Sequence, residues 1–393
     1  MSRNAAFRSL AVLLGFVLAA SAVLTPLYVV YQQEWDFSAV TLTSVFAVYA
    51  LTLLVTLLCI GSTSDRVGRR PVLAVGLVLE IGAMALFLDS SSVGWVFAGR
   101  GLQGVATALV MGTTTAALID LEPKGRAIAP LVNACAPMVG LAVGAGCAGA
   151  LVEWGPLPTH LLFWLLVGVF LAGLGLLAFI PETVPRTGRW LEQLLPQIGL
   201  PDGTHRPFVA ALPGLTATWA LGGLYFSLGP SLATTVLGNS GHLAGGLVIT
   251  ALAGTASLAA IAVRNWEAER MMLTGLWAFA FGVSLTVLSL IVTSTPLFFT
   301  GTILAGVGFG PGFLGAFRSL TALAPADRRA ELVSSIYSAS YLAFSLPAIA
   351  AGAAVTQVGL RTTADVYGAV AVLLALSAAL ATMKARPPDP RPG

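Results

Sequence analysis

Charge is scarce in this chain. Only 9% of its 393 residues are Asp, Glu, Lys or Arg, 57% are hydrophobic, and the mean hydropathy is +0.89. A soluble domain of this length needs far more charged surface. Cysteine is almost absent too. Cys59, Cys135 and Cys147 all fall in or at the end of apolar runs. An odd number of thiols in hydrocarbon speaks against a disulfide framework or a thiolate metal site and reads as small packing residues. The three histidines, His160, His205 and His242, are too scattered to pair on a metal. No phosphate-cradling G-x-x-x-x-G-K-[ST] loop occurs, so ATP drive is not expected. These gaps predict a non-enzyme with no metal and no cofactor. Lysine occurs only at Lys124 and Lys384. That arginine bias, with abundant Ala, Gly and Leu, is the composition of a GC-rich bacterial genome.

Long apolar runs are what the chain has. A bilayer core of about 30 Å needs roughly 20 apolar residues of helix. Twelve runs qualify, near 9–31, 40–60, 71–89, 95–119, 128–151, 159–180, 208–233, 242–263, 271–293, 296–322, 333–356 and 362–384. They are continuous and do not alternate, which favours helices over a lipid-facing barrel. The first run follows Arg3 and Arg8 like a leader and passes small residues at Ala19–Ala22, but it continues to Tyr31 and reads as an uncleaved span. Assigning loops alternately to two sides puts 18 of the 20 basic residues on the side of the termini. Arg361 alone lies on the other side, and Arg100 falls inside a span. The positive-inside rule then predicts a multi-pass protein of the cell membrane with both termini cytoplasmic. The basic residues set topology, so lipid is the expected partner and nucleic acid is not.

The spans divide six and six. Residues 1–180 form the first group, 181–207 a polar linker in which Trp190–Leu195 reads as a short interfacial helix, and 208–393 the second group. Leu121-Glu122-Pro123-Lys124-Gly125-Arg126 recurs 202 residues later as Leu323-Ala324-Pro325-Ala326-Asp327-Arg328. The same offset lays the first span on the seventh and Gly104 on Gly306. The expected architecture is an all-α membrane protein of 12 transmembrane helices in two pseudo-symmetric six-helix bundles. Inverted or repeated halves of this kind build transporters with a site at the midplane.

Between the second and third runs lies Gly61-Ser62-Thr63-Ser64-Asp65-Arg66-Val67-Gly68-Arg69-Arg70. Gly61 and Gly68 permit a sharp turn. Asp65 suits the electropositive start of a helix, and Arg69 can grip a carboxylate with two parallel hydrogen bonds. The fourth run opens Arg100-Gly101-Leu102-Gln103-Gly104, and an arginine inside a span is a functional candidate. The competing reading has Arg100 snorkelling to the surface. The fifth run carries Ala136-Pro137-Met138-Val139-Gly140, with Gly144 and Gly146 beyond. Proline there kinks the helix and the glycines permit close packing.

These three stretches resemble signatures of the major facilitator superfamily. Gly61, Asp65, Arg66, Gly68, Arg69 and Arg70 fit its loop pattern, with Thr63 in place of a leucine. The resemblance implies that Asp65 faces the start of helix 11 near Glu331–Ser335, and that Arg69 pairs with Asp120 at the end of helix 4. Together they would latch the halves on the cytoplasmic side in the outward-open state. It also implies that Arg100 lines the cavity and tunes a proton or anionic substrate site. Pro137, Gly140 and Gly144 resemble the antiporter motif of helix 5, though Ala136 and Leu141 depart from it.

Glu80 is the one acid near the middle of a span, which makes it a candidate proton carrier. Two alternatives stay open: it faces lipid, or it pairs with Arg100. By the resemblance, helices 1, 4, 7 and 10 line the cavity, offering Tyr28, Gln103, Trp219, Tyr225, Phe226, Phe309 and Phe313. Asn133 and Tyr337 add polar handles. Aromatic walls with few charges suit a lipophilic or weakly polar solute. Gly306, Gly308, Gly310, Pro311 and Gly312 of helix 10 suggest a flexible or broken helix that could gate. The reading is a proton-driven exporter of a small molecule, such as a drug or metabolite, acting as a monomer. Uptake or facilitated diffusion on the same fold is the alternative, and a sensor that no longer transports the distant one.

Overall fold

Within hydrocarbon a helix satisfies its own backbone, so apolar runs of this length must be helical. The computed structural model describes the chain except residues 61–62, 124–127, 185–197, 237, 239–240, 326–327 and 385–393. Twelve long helices are present among the described residues. They are α1 (Arg3–Trp35), α2 (Ala39–Ile60), α3 (Arg69–Leu88), α4 (Val93–Asp120), α5 (Ala129–Trp154), α6 (Leu161–Leu177), α7 (His205–Ser231), α8 (His242–Ala262), α9 (Ala268–Val292), α10 (Thr295–Leu323), α11 (Arg329–Val358) and α12 (Leu360–Lys384). One helical turn, Ser64–Val67, precedes α3, and a π-helical turn, Leu232–Val236, extends α7. The expected interfacial helix at Trp190–Leu195 lies outside the described residues.

Eleven of the twelve are long and apolar enough to cross a membrane. The twelfth, α6, has 17 residues where the sequence suggested 159–180. Pro181 disfavours α geometry in the residue before it. The chain therefore leaves α6 through three successive i→i+3 bonds, Ala178 to Gly175, Phe179 to Leu176 and Ile180 to Leu177, at 3.2, 3.0 and 3.3 Å. Such turns rise faster than an α-helix, so α6 plus this exit spans roughly 30 Å.

The pairing of helices repeats. α1 packs on α4, α5 and α6, α4 on α2 and α3, and α3 on α6. Adding six to every label gives α7 on α10, α11 and α12, α10 on α8 and α9, and α9 on α12, all of which occur. The 202-residue offset survives at atomic detail. A Cβ at Gly104 would strike the Tyr49 carbonyl and Thr52 Oγ1 on α2, and one at Gly306 would strike the Leu252 carbonyl and Thr255 Oγ1 on α8. The main contacts between the two groups of six are α5 with α8 and α2 with α11. They too are counterparts. Gly146 meets Thr250 Oγ1 in one seam, and Gly352 meets Thr43 Oγ1 in the other.

α10 is one uninterrupted helix, against the expectation of a broken one. Its glycines are spent on packing. Gly308, Gly312 and Gly315 lie against the backbones of Phe279, Gly275 and Met272 on α9, and Gly282 on α9 answers against Ala305. In lipid no hydrophobic force joins two helices, so close backbone approach through small residues supplies the contact.

Candidate functional site

The charged loop and the ends of three helices form one network at the end of the molecule that bears the termini. Gly68 sits at φ +104°, and a Cβ there would also crowd the Glu182 carboxylate. From that turn α3 starts with its first amides exposed, and Glu182 covers them. Its Oε1 accepts from Arg69 N at 2.8 Å and its Oε2 from Arg70 N at 3.2 Å. Arg69 is buried and reaches three groups: Asp65 Oδ1 at 2.6 Å, Ser64 Oγ at 2.6 Å and Asp120 Oδ2 at 3.2 Å. Asp120 Oδ2 also accepts from Thr183 Oγ1 at 2.8 Å, and its carbonyl from Arg3. Arg70 donates to the Ala178 carbonyl at 3.3 Å.

The structure thus brings Asp65, Arg69 and Asp120 together. The expected contact of Asp65 with the start of α11 is not what it contains: Asp65 turns to Arg69 within its own half, and Glu331 pairs with Arg328 instead, at 2.8 Å. Arg69 lies four residues from Asp65 and Arg328 three from Glu331, so each acid has a near electrostatic partner in its own segment. Arg66 lies on the single turn beside Asp65, and Gly61 lies outside the described residues.

A second cluster is buried at mid-span between α1, α2, α3 and α4. Glu80 is fully buried and accepts from Thr107 Oγ1 at 2.7 Å. Arg100, 2% exposed, donates to the Ser21 carbonyl at 3.1 Å and to Gln103 Oε1 at 2.8 Å. Its guanidinium lies 4.1 Å from the centroid of the Tyr49 ring, and Tyr49 donates to Ser21 Oγ at 2.8 Å. Arg100 therefore does not snorkel, and Glu80 does not face lipid. No ion pair joins the two among the described residues. Gln103 stands between them, and Glu80 Oε2, Gln103 Nε2 and Arg100 Nε lack hydrogen-bond partners. Unsatisfied buried polar atoms are costly in a low-dielectric interior. Tyr28 is buried nearby, its hydroxyl unpartnered and within the field of Arg100.

Aromatics of four helices meet across the central seam. Trp219 of α7 stands edge-on to Phe313 of α10 and to Tyr341 and Phe344 of α11, with ring centroids 5.3, 5.1 and 5.7 Å apart. Phe344 also touches Phe46 of α2 and Phe226 of α7. Phe317 and Tyr337 continue the chain toward the terminal end. Trp219 Nε1 has no partner. Phe309 abuts this group at Gly222. Tyr225 does not join it. Its hydroxyl bonds Thr286 and Thr302 at 3.3 and 3.2 Å, and its ring stacks on Phe298. Asn133 donates to the Thr115 carbonyl at 3.3 Å. In α5, Gly140 and Gly144 press against the backbones of Gly15 and Ala19 of α1, with Pro137 one turn before.

Glu182, Thr107, Tyr49 and Phe344 belong to these clusters and carry no signature in the sequence. Elsewhere an apolar groove of about 360 Å³ runs between α7, α11 and α12, past Ala220, Pro347, Ala354 and Tyr367. Among the described residues no three His, Cys, Asp or Glu side chains converge as metal ligands do.

Relatives and solved structures fit this arrangement. Citrate exporter 1 of Aspergillus niger is 28% identical over 163 residues, 40% of this chain and 29% of its own length. The multidrug efflux pump LfrA of Mycolicibacterium smegmatis is 31% identical over 130 residues, 31% of this chain and 25% of its own. The match spans less than a third of either relative. The crystal structure of a bacterial homologue of the human lysosomal transporter Spinster, inward-facing and unoccupied, superposes with a TM-score of 0.74 at 14% identity, covering 97% of both chains. With its helices paired in a repeated pattern, and with residues 10–270 matched by the family's model, the chain belongs to the major facilitator superfamily.

Proposed function

We propose that the chain is a proton-driven exporter of a small lipophilic or weakly polar molecule, working by alternating access between two six-helix bundles, residues 1–180 and 208–393. It sits in the cell membrane of a bacterium as a monomer with both termini in the cytoplasm, an orientation that rests on the basic loops at the terminal end. The observation that carries the reading is the buried constellation of Glu80, Thr107, Gln103 and Arg100. A carboxyl group and a guanidinium held apart by one amide, inside a membrane span, form a site that can gain and lose a proton with little rearrangement. Trp219, Phe313, Phe226 and Tyr337 form the apolar side of the substrate path, and Gln103, Asn133 and Tyr28 its polar side. Export is favoured over uptake by the helix-5 stretch at Pro137 and by the two exporters among the relatives.

The test is transport by purified protein in liposomes under imposed pH gradients, using a panel of lipophilic cations and neutral drugs. Accumulation against a gradient with proton counterflow supports the proposal. Co-directional movement of solute and proton would make the protein a symporter, and pH-independent equilibration would make it a uniporter.

A further inference from the structure

At the end opposite the termini, α8 begins with Gly241 as its N-cap, a residue with no side chain to offer, and its first turn contains no acid. A helix start leaves its first amides unpaired and carries partial positive charge. The missing partner comes from the other half of the molecule. Glu153, in the last turn of α5, accepts from His242 N through Oε2 at 2.6 Å. Below this bond the seam is tight. Gly149 meets Gly246, Leu243 and the His242 carbonyl, and Gly246 meets the Ala145 carbonyl. Thr250 then donates to the Ala142 carbonyl at 2.8 Å. Glu153 is exposed at the rim, so its charge is spent on no other span.

We propose that Glu153 is a latch that holds the halves closed at this end by capping α8 across the seam. The inference rests on the alternating-access reading. Its chemistry is the same as that of Glu182 on the start of α3, with one difference. Glu182, at the start of the linker, caps a helix of the adjoining first half and does not cross the seam between the halves, whereas the Glu153 bond must break whenever α5 and α8 part. Glu153 is therefore a positioning residue for the closed state, and the rest of the seam among the described residues, glycine and alanine backbones with the Thr250 hydroxyl, carries no other charged contact.

Spin labels at Pro158→Cys and Val292→Cys, in protein whose Cys59, Cys135 and Cys147 are replaced by alanine, report the distance between the halves at this end by pulsed electron resonance in lipid nanodiscs. Glu153→Gln should raise the population of the longer distance about fivefold. Glu153→Asp should restore part of the closed population. Glu34→Gln removes another exposed acid at the same end and should change nothing. An unaltered distribution in Glu153→Gln overturns the latch, and so does an equal shift in Glu34→Gln, which would make the effect one of overall charge. The distances are read without solute or pH gradient, so the wrong coupling ion or direction of transport would leave this result standing.

Discussion

Single side chains divide into those that hold the molecule together and those poised to change state. Glu182 is of the first kind. Its carboxylate satisfies two amides at the start of α3, so Glu182→Ala should cost about 1 kcal/mol, read as a lower midpoint of thermal unfolding in detergent. Transport measured below that midpoint should keep its pH profile. Glu80 is of the second kind. Its Oε1 accepts from Thr107 Oγ1, and the Gln103 side chain lies within reach of the carboxylate. Glu80→Gln fits the same space and keeps an acceptor for Thr107, so the protein should fold and reach the membrane. Its transport should no longer respond to pH, with the gradient-driven rate down by about tenfold or more. Wild-type pH dependence in that variant would remove Glu80 from the mechanism.

Elements show which parts of this arrangement were legible in the sequence. Apolar run length located the helices, and at α6 it overran the end of the helix by three residues because a run does not reveal where Pro181 unwinds the last turn. Arg69 with Asp120 was readable through the resemblance of the loop to the family's signature, which implied an acid at the end of α4 as its partner. Glu182 was not, although it follows the sixth run by two residues, because helix capping between distant segments leaves no local spacing. Tyr49 sits in an otherwise uniform span, and only the fold places its ring under Arg100. The α10 glycines were misread because close packing and kinking use the same residue. The clue was the complementary pair on α9, Gly275 and Gly282. This distinction is testable on α5 and α6. A side chain at Gly144 has nowhere to go but into the Ala19 backbone, so Gly144→Val should destabilise by about 3 kcal/mol or prevent folding. Gly168 on α6 has open space around it. There Gly168→Ala should be neutral or stabilising by about 0.5–1 kcal/mol, because glycine is the poorer helix former. Melting curves of the two variants check both signs.

The whole molecule is symmetric in its packing and asymmetric in its chemistry. At the 202-residue offset Arg100 falls on Thr302, and Glu80 falls on Gly282. What stands around those positions in the second half is neutral: Tyr225 with Thr286 and Thr302. The second half instead supplies most of the aromatics at the central seam. In the proposed mechanism one half takes up charge, the other presents an apolar wall, and the shared packing lets them move as counterparts. The two tyrosines separate these roles. Tyr225→Phe removes a hydroxyl bonded only to two threonines, so it should cost about 1 kcal/mol of stability and leave the pH profile of transport in place. Tyr49→Phe keeps the ring beneath Arg100 and cuts the bond to Ser21. Since Tyr49 also packs with Tyr341 of α11 across the seam, that variant should shift the pH profile while its melting point falls no further than that of Tyr225→Phe. Equal effects of both changes on the pH profile would mean that coupling is shared between the halves, and the asymmetry would then be one of residue type without one of function.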